Sequence, residues 1–258
     1  MKDDRLKAQN TKRILVIIPC HNESGRIGNV IRQIKQALPV ADIAVIDDAS
    51  TDDSQVEALR EKAVVLSHCT NLGYGAALET GYLYANDKGY ITVLQMDGDG
   101  QHQADQLPNL LALITEGAAD IVIGSRYTEG TSMQSATLIR RIGHKLFSYI
   151  IFVLCGLKIS DPTSGFQALN RKALALFSSG SFPCDFPDSD VILMAKMSGL
   201  RIREVPTRML PRSGGESMHS GFKPIYYGIK MLLSIFIVLI NFKIWRSWKQ
   251  RTAAPTPV

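Results

Sequence analysis

Ile91-Thr92-Val93-Leu94-Gln95-Met96 runs directly into Asp97-Gly98-Asp99-Gly100-Gln101. An apolar, strand-like run that ends in two carboxylates, each followed by glycine, sets hard oxygen ligands at a rigid edge. The glycines leave room there for a phosphate-bearing partner. Mg²⁺ and Mn²⁺ favour such ligands and complete their shells with phosphate oxygens and water. The plainer alternative is a turn, because Asp-Gly pairs accept φ > 0 and commonly join elements. The sequence on either side decides between them.

Upstream, residues 14–18 form a continuous apolar strand, closed by Pro19 and a polar turn. Ile27, Val30, Ile31, Ile34 and Leu38 then recur at helical spacing. Further strands are expected at 43–46, 64–66, 90–95 and 121–124, with helices near 53–62, 76–86 and 104–115. Apolar strands alternating with amphipathic helices give βαβ units and a mainly parallel sheet covered on both faces. Such sheets bind ligands at their C-terminal strand ends. Three acidic clusters fall there: Asn22-Glu23, Asp47-Asp48 and Asp97/Asp99. Gathering them on one rim is disfavoured by self-repulsion unless a cation or hydrogen-bond donors share the site.

Beyond Gly124 the rhythm loosens. Residues 125–135 read as a mobile loop, 138–157 as a long, mostly apolar helix, and 161–165 as a turn into a short strand. A helix over 189–197, a strand over 202–205 and a flexible loop over 212–217 follow. Asn71-Leu72-Gly73-Tyr74-Gly75 reads as a turn at the start of a helix and is not a dinucleotide fingerprint.

At 258 residues the chain can bury one substantial core, and its net charge of +5 is modest. The basic excess sits late: Lys243, Arg246, Lys249 and Arg251 follow an apolar stretch, and no acidic residue occurs after Glu216. That pattern suits an anionic membrane surface. No strip interleaves aromatic and basic residues for stacking on bases, so nucleic acid is not an expected partner. The four cysteines have no paired spacing and read as free thiols in a reducing, cytoplasmic setting. Residues 1–12 are polar and charged, a loose tail without a secretory signal.

Pro19-Cys-His-Asn-Glu23, Asp47-Asp-Ala-Ser-Thr-Asp52, Asp97-Gly-Asp-Gly-Gln101, Gly124-Ser-Arg126, Asp161-Pro-Thr-Ser-Gly-Phe166 and Glu204-Val-Pro206 occur in this order. Together they resemble the family 2 glycosyltransferases of GT-A fold, and among these the dolichyl- and polyprenyl-phosphate mannosyl- and glucosyltransferases. The likeness spans residues 12–230. It implies a Rossmann-like α/β sheet flanked by helices, a UDP- or GDP-linked sugar donor and a Mg²⁺ or Mn²⁺ cofactor. It also implies a polyprenyl phosphate acceptor. Asp48 matches the position that binds the nucleotide base; Pro19, Glu23, Ile46, Asp97 and Gly98 match positions around the nucleotide. His21 either lines the base pocket or belongs to the loop. Asp97, Asp99 and Gln101 match the metal and diphosphate site, and Asp99, Arg126 and Arg212 the catalytic positions. Arg140, Arg141 and Ser217 are the expected contacts to the acceptor phosphate. The pattern departs after Ser217, where Met218 and His219 stand in place of a lysine found in several relatives.

A phosphate monoester is already anionic at neutral pH, with a second pKa of about 6, and needs no catalytic base. A hydroxyl acceptor would need one, and Asp188 or Asp190 is the candidate. Both carboxylates could equally cap the helix that begins near Ser189. The rival readings are therefore transfer to a glycan hydroxyl with Asp190 or Asp188 as base, and a non-catalytic nucleotide-sugar-binding scaffold. His102 reads as a supporting or surface histidine, not as a metal ligand.

The expected organisation is a tail (1–12), the catalytic domain (13–222), an apolar helix (223–247) and a basic flexible tail (248–258). Residues 231–242 are apolar almost all round, broken by Ser234 and Asn241, and are shorter than a membrane span requires. An interfacial anchor on the cytoplasmic membrane face is expected, or docking on a membrane-domain partner.

Overall fold

The structure is a computed structural model that describes residues 13–128, 138–183, 187–210 and 223–253, with the backbone alone for 138–142, 223–225 and 243–253. Strand β1 (Ile14–Cys20) is the fully buried hub. Helix α1 (Ile27–Ala37) buries Ile27, Val30, Ile31 and Ile34, the residues of the helical repeat. It stops at Leu38, which precedes Pro39 and is thereby pushed out of the helical region. Then come β2 (Asp42–Asp47), α2 (Ser54–Arg60), β3 (Val64–Ser67), α3 (Tyr74–Asp87) and β4 (Thr92–Gln95). A short 3₁₀ turn over Ala104–Gln106 leads into α4 (Leu107–Thr115), followed by β5 (Ile121–Ser125) and α5 (Leu138–Cys155). The remainder is β6 (Gln167–Asn170), α6 (Arg171–Phe177), α7 (Ser189–Met197), β7 (Ile202–Pro206) and α8 (Lys223–Ala253).

Seven strands form one sheet in the order β3-β2-β1-β4-β6-β5-β7. β1 pairs in parallel with both β2 and β4, so the direction of winding reverses between β1 and β4. Crevices open at such a switch point, outside the carboxyl ends of the strands. β6 runs antiparallel to β4 and to β5, and β7 returns parallel to β5. The sheet is thus mainly parallel, as expected, with one reversed strand that the sequence pattern did not reveal.

Alternation along the strands divides the core. Val16 and Ile18 face a layer built from α1 and α4, with Leu107 and Leu110. Leu15 and Ile17 face the other side, against Leu78 and Tyr82 of α3 and Leu174 and Phe177 of α6. Each such side chain contributes about 1.5–3 kcal/mol by leaving water. A third, smaller cluster joins Phe147 of α5, Leu193 of α7, and Met231 and Ile235 of α8.

One expectation is corrected here. Helix α8, which runs to Ala253, is not the apolar helix expected, because charged residues recur along it. Met231 and Ile235 are buried, whereas Leu232, Leu233, Phe236 and Ile237 are exposed. No helix among the described residues is long and apolar enough to cross a membrane. Of the loop expected at 125–135, residues 129–135 lie outside the described residues, as do the loop expected at 212–217 and the tail at 1–12.

Candidate active site

The carboxyl ends of β1, β2 and β4 bring the three acidic clusters to the rim of the switch point. Gly98 packs beside the end of β1, where a Cβ would lie in ordinary contact with the Pro19 carbonyl oxygen, 3.4 Å away. Pro19 and Ile46 are fixed by sheet pairing with each other, and Ile46 is fully buried.

Asp48 is 4% exposed. Its Oδ1 accepts from His68 Nδ1 and from the Leu72 amide, each at 2.8 Å, and its Oδ2 accepts from the Gly73 amide at 2.8 Å. Burial pushes this carboxyl up, but the His68, Leu72 and Gly73 donors outweigh it and hold Asp48 below the usual carboxylate range. On the far side of the ring, His68 Nε2 is hydrogen-bonded to Thr80 Oγ1 at 2.9 Å, which holds the imidazole in place. One lone pair of Oδ2 remains for an N–H of a base. His21 donates from Nδ1 to the Asp48 carbonyl at 2.8 Å, so it braces the loop beside the rim. Glu23 pairs with Arg26 at 2.6 Å, and its amide is held by Ser54 Oγ at 2.7 Å.

Asp97 stands at the end of β4. Its Oδ1 accepts from the Tyr74 hydroxyl at 2.9 Å, and its Oδ2 faces His102 Nε2 at 3.3 Å. Burial pushes this carboxyl up too, and the His102 and Tyr74 donors more than offset it, keeping Asp97 ionised at neutral pH. His102 is buried and stacks on Phe166, with ring centroids 4.9 Å apart. It supports Asp97, as read from sequence. Asp99 Oδ1 accepts from the Gln101 amide at 2.9 Å, across a turn in which Gly100 adopts φ +77°.

Gln101 is tied to a segment distant in sequence. Its side chain donates to the Leu210 carbonyl at 3.2 Å, and the Leu210 amide donates back to the Gln101 carbonyl at 2.8 Å. The carboxylate loop is thereby tied to the segment that leads toward residue 212. A second tie runs from Gln106, whose amide side chain makes two bonds to the Arg208 backbone.

Arg126 follows β5 and forms a bidentate pair with Asp161, Nε to Oδ2 at 2.6 Å and Nη2 to Oδ1 at 2.7 Å. Asp161 is wholly buried, and Glu204 anchors its turn by accepting from the Ser160 and Asp161 amides at 2.8 Å. Burial alone would raise the Asp161 carboxyl; the Arg126 guanidinium overrides that and holds it low. Arg126 therefore sits at the rim, aligned by a carboxylate behind it.

Asp188 precedes α7 but does not cap it through its side chain, contrary to the capping alternative. Asp190 Oδ1 accepts from the Asp188 amide at 2.9 Å instead. The hydroxyls of Tyr227 and Ser234, both on α8, donate to Asp188 and Asp190 respectively. Burial, and for Asp188 the neighbouring Asp190 charge, push both carboxyls up. Of the remaining expected residues, Arg212 and Ser217 lie outside the described residues, as do the side chains of Arg140 and Arg141.

Among the described residues, no three His, Cys, Asp or Glu side chains assemble into a metal cage. Asp97 and Asp99 still suit a hard divalent cation that draws its other ligands from phosphate and water. An ionised carboxylate offers about four acceptor positions, and the hydrogen bonds at Asp97 leave half of them open. Tyr74, His68, Gly165 and Glu204 are supporting residues; Gly165 and Glu204 lie within motifs already quoted, whereas His68 carried no signal and Gly73-Tyr74-Gly75 read as a plain helix start.

Residues 15–177 match the family described as Glycosyl transferase family 2. The undecaprenyl-phosphate mannosyltransferase of Micrococcus luteus is 33% identical over 217 residues, covering 81% of this chain and 88% of that one. The polyprenol monophosphomannose synthase of Mycolicibacterium smegmatis is 29% identical over 248 residues, covering 88% and 91%. In fold, the chain resembles glucosyl-3-phosphoglycerate synthase of Mycobacterium tuberculosis, solved with Mn²⁺, UDP-glucose and phosphoglyceric acid. The TM-score is 0.65 at 18% identity, with 92% of this chain and 81% of that one covered.

Proposed function

The chain belongs to glycosyl transferase family 2 and is a glycosyltransferase, and from that premise we propose its reaction. It moves a hexosyl group from a nucleoside-diphosphate sugar to a polyprenyl phosphate at a membrane surface, with inversion at the anomeric carbon. The observation that carries this reading is the pairing of two features in one molecule. Asp97 and Asp99 sit at the switch point of the sheet, and α5 and α8 expose apolar side chains such as Tyr149, Val153, Leu233 and Phe236. The named relatives act on polyprenyl phosphates, which agrees with both features.

Asp97 and Asp99 would hold Mg²⁺ or Mn²⁺. Once bound, the cation would act as a Lewis acid on the departing diphosphate. Asp48 offers its remaining acceptor position to an N–H of the base, and the 72–73 amides keep that carboxylate oriented. Arg126, set by Asp161, presents its outer edge to phosphate charge at the rim. Arg212, Arg140, Arg141 and Ser217 are proposed to complete the phosphate contacts. The acceptor phosphate attacks as an anion, so no protein base is needed. The apolar faces of α5 and α8 hold the enzyme against the cytoplasmic leaflet, where the lipid acceptor resides.

A second reading rests on Asp188. Its buried carboxyl is held by Tyr227 and feels the charges of Arg126 and Asp97, so it is suited to take a proton from a hydroxyl acceptor. Donor consumption by the purified protein separates the two readings. The assay supplies Mn²⁺ or Mg²⁺, a panel of nucleotide sugars, and either a short polyprenyl phosphate or a glycan. Metal-dependent release of nucleoside diphosphate only with the lipid phosphate is expected. Release with the glycan alone would overturn the lead reading.

A further inference from the structure

The 72–74 turn does more than open a helix. Leu72 and Gly73 donate their amides to Asp48, and the next residue, Tyr74, donates its hydroxyl to Asp97 Oδ1 at 2.9 Å. Three consecutive residues thus hold the carboxylates at the ends of two different strands. Behind Tyr74 lies a buried chain: Gln95 Nε2 donates to the Tyr74 oxygen at 3.0 Å, and the Tyr82 hydroxyl donates to Gln95 Oε1 at 2.5 Å. Every donor in this chain points the same way, from Tyr82 through Gln95 and Tyr74 to Asp97. Aligned hydrogen bonds polarise one another in a low-dielectric interior, so the last O–H is the one most strengthened.

We infer that Tyr74 is the positioning residue that fixes the Asp97 carboxylate for a divalent cation, with Gln95 and Tyr82 as its backing. This rests on the proposed reading of Asp97 as a metal ligand. The geometry leaves the carboxylate little freedom. Tyr74 occupies one lone pair of Oδ1, and His102, held flat against Phe166, faces Oδ2. Gly165 closes a third side, since a Cβ there would lie 2.6 Å from the Tyr74 oxygen and 3.1 Å from both Asp97 oxygens. The remaining lone pairs are aimed by exclusion. Partners of this kind behind metal-ligating groups typically alter metal affinity by roughly 10–100-fold. A purely structural tyrosine would contribute packing alone, and Tyr74→Phe keeps the ring while deleting only the donor.

Mn²⁺ binding to the full chain, followed by the electron paramagnetic resonance signal of free Mn²⁺, tests this without relying on turnover. Titrations with Mn²⁺ alone, and with UDP or GDP added, compare wild type, Tyr74→Phe, Tyr82→Phe and Asp97→Asn. Asp97→Asn is expected to lose the site. Tyr74→Phe is expected to weaken Mn²⁺ roughly 10–100-fold, with the KM for Mn²⁺ rising more than kcat falls. Tyr82→Phe leaves the contact to Asp97 intact and is expected to shift affinity in the same direction by less. It carries the test if Tyr74→Phe does not fold. Wild-type Mn²⁺ affinity in Tyr74→Phe, or in Tyr82→Phe as its stand-in, while Asp97→Asn loses the site, overturns the role of Tyr74 and leaves the metal reading standing. Wild-type affinity in Asp97→Asn removes the metal reading itself, and the role of Tyr74 with it.

Discussion

Asp188 and Asp190 differ from the other rim carboxylates in the sign of their perturbation. Asp48, Asp97 and Asp161 are held below the usual range by histidine, tyrosine, amide or guanidinium donors that outweigh burial. Their contribution to stability is present above the unfolded carboxylate pKa and is lost as pH falls through the lower native values. For Asp188 and Asp190 burial wins, so the native protein binds their protons more tightly than the unfolded chain does. Stability from these two falls as pH rises from the ordinary carboxylate range through the raised native values. Asp188→Asn keeps an acceptor for Tyr227 and removes a charge beside Asp190. It is therefore expected to raise the melting temperature at pH 7–8, with the gain vanishing below about pH 3, where the wild-type acids are protonated in both states. Thermal unfolding across that pH range checks it. The same variant divides the two chemical readings: transfer to a lipid phosphate should survive it, whereas loss of a general base would cost roughly 10²–10⁴-fold in kcat.

At the scale of the element, α8 combines two roles that its sequence presents as one. Its inward residues, Met231 and Ile235, meet Phe147 and Leu193, and its hydroxyls reach the acid pair at the start of α7. Its outward residues, Leu233 at 56% and Ile237 at 48% exposure, contribute little to the core. A double change Leu233→Asp, Ile237→Asp is expected to abolish co-sedimentation with phospholipid vesicles while changing stability by no more than about 0.5 kcal/mol per site, as for other surface substitutions. Retained vesicle binding would sink the anchoring role. The contrast also shows what a single chain reveals. Continuous apolar runs placed β1 and β2, and helical spacing placed α1, to within a residue or two, because burial sets them. The seven-residue helix α6 went unread, although Asn170 caps it with bonds to the Lys172 and Ala173 amides. Two turns are too few for periodicity to register. The reversed direction of β6 was equally silent, since an apolar strand carries no mark of orientation. At the rim, the carboxylates were legible as Asp-Gly and Asp-Asp clusters. Their partners Tyr74 and His68 come from segments distant in sequence, and nothing local marks them as such.

At the scale of the molecule, the distribution of charge and apolar exposure along the chain fits the proposed membrane docking. The rim of the sheet carries the acidic clusters, and no acidic residue follows Glu216. Lys243, Arg246, Lys249 and Arg251 come after the exposed apolar stretch of α8, and Lys223 and Lys230 fall before and within it. On the proposed membrane docking, two attractive forces of different range would act on the same helix. Each basic residue near an anionic leaflet contributes about 1 kcal/mol within a Debye length. That length shrinks from about 10 Å at 0.1 M salt to about 3 Å at 1 M. Burial of the apolar face has no such dependence. Vesicle binding should accordingly be stronger on anionic than on neutral lipid at 0.1 M NaCl, and 1 M NaCl should remove most of that difference while leaving a residual affinity common to both. Co-sedimentation over this salt series separates the two forces. Equal binding to both lipids at low salt would mean that the basic residues serve something other than the membrane, and complete release at high salt would deny the apolar face its part.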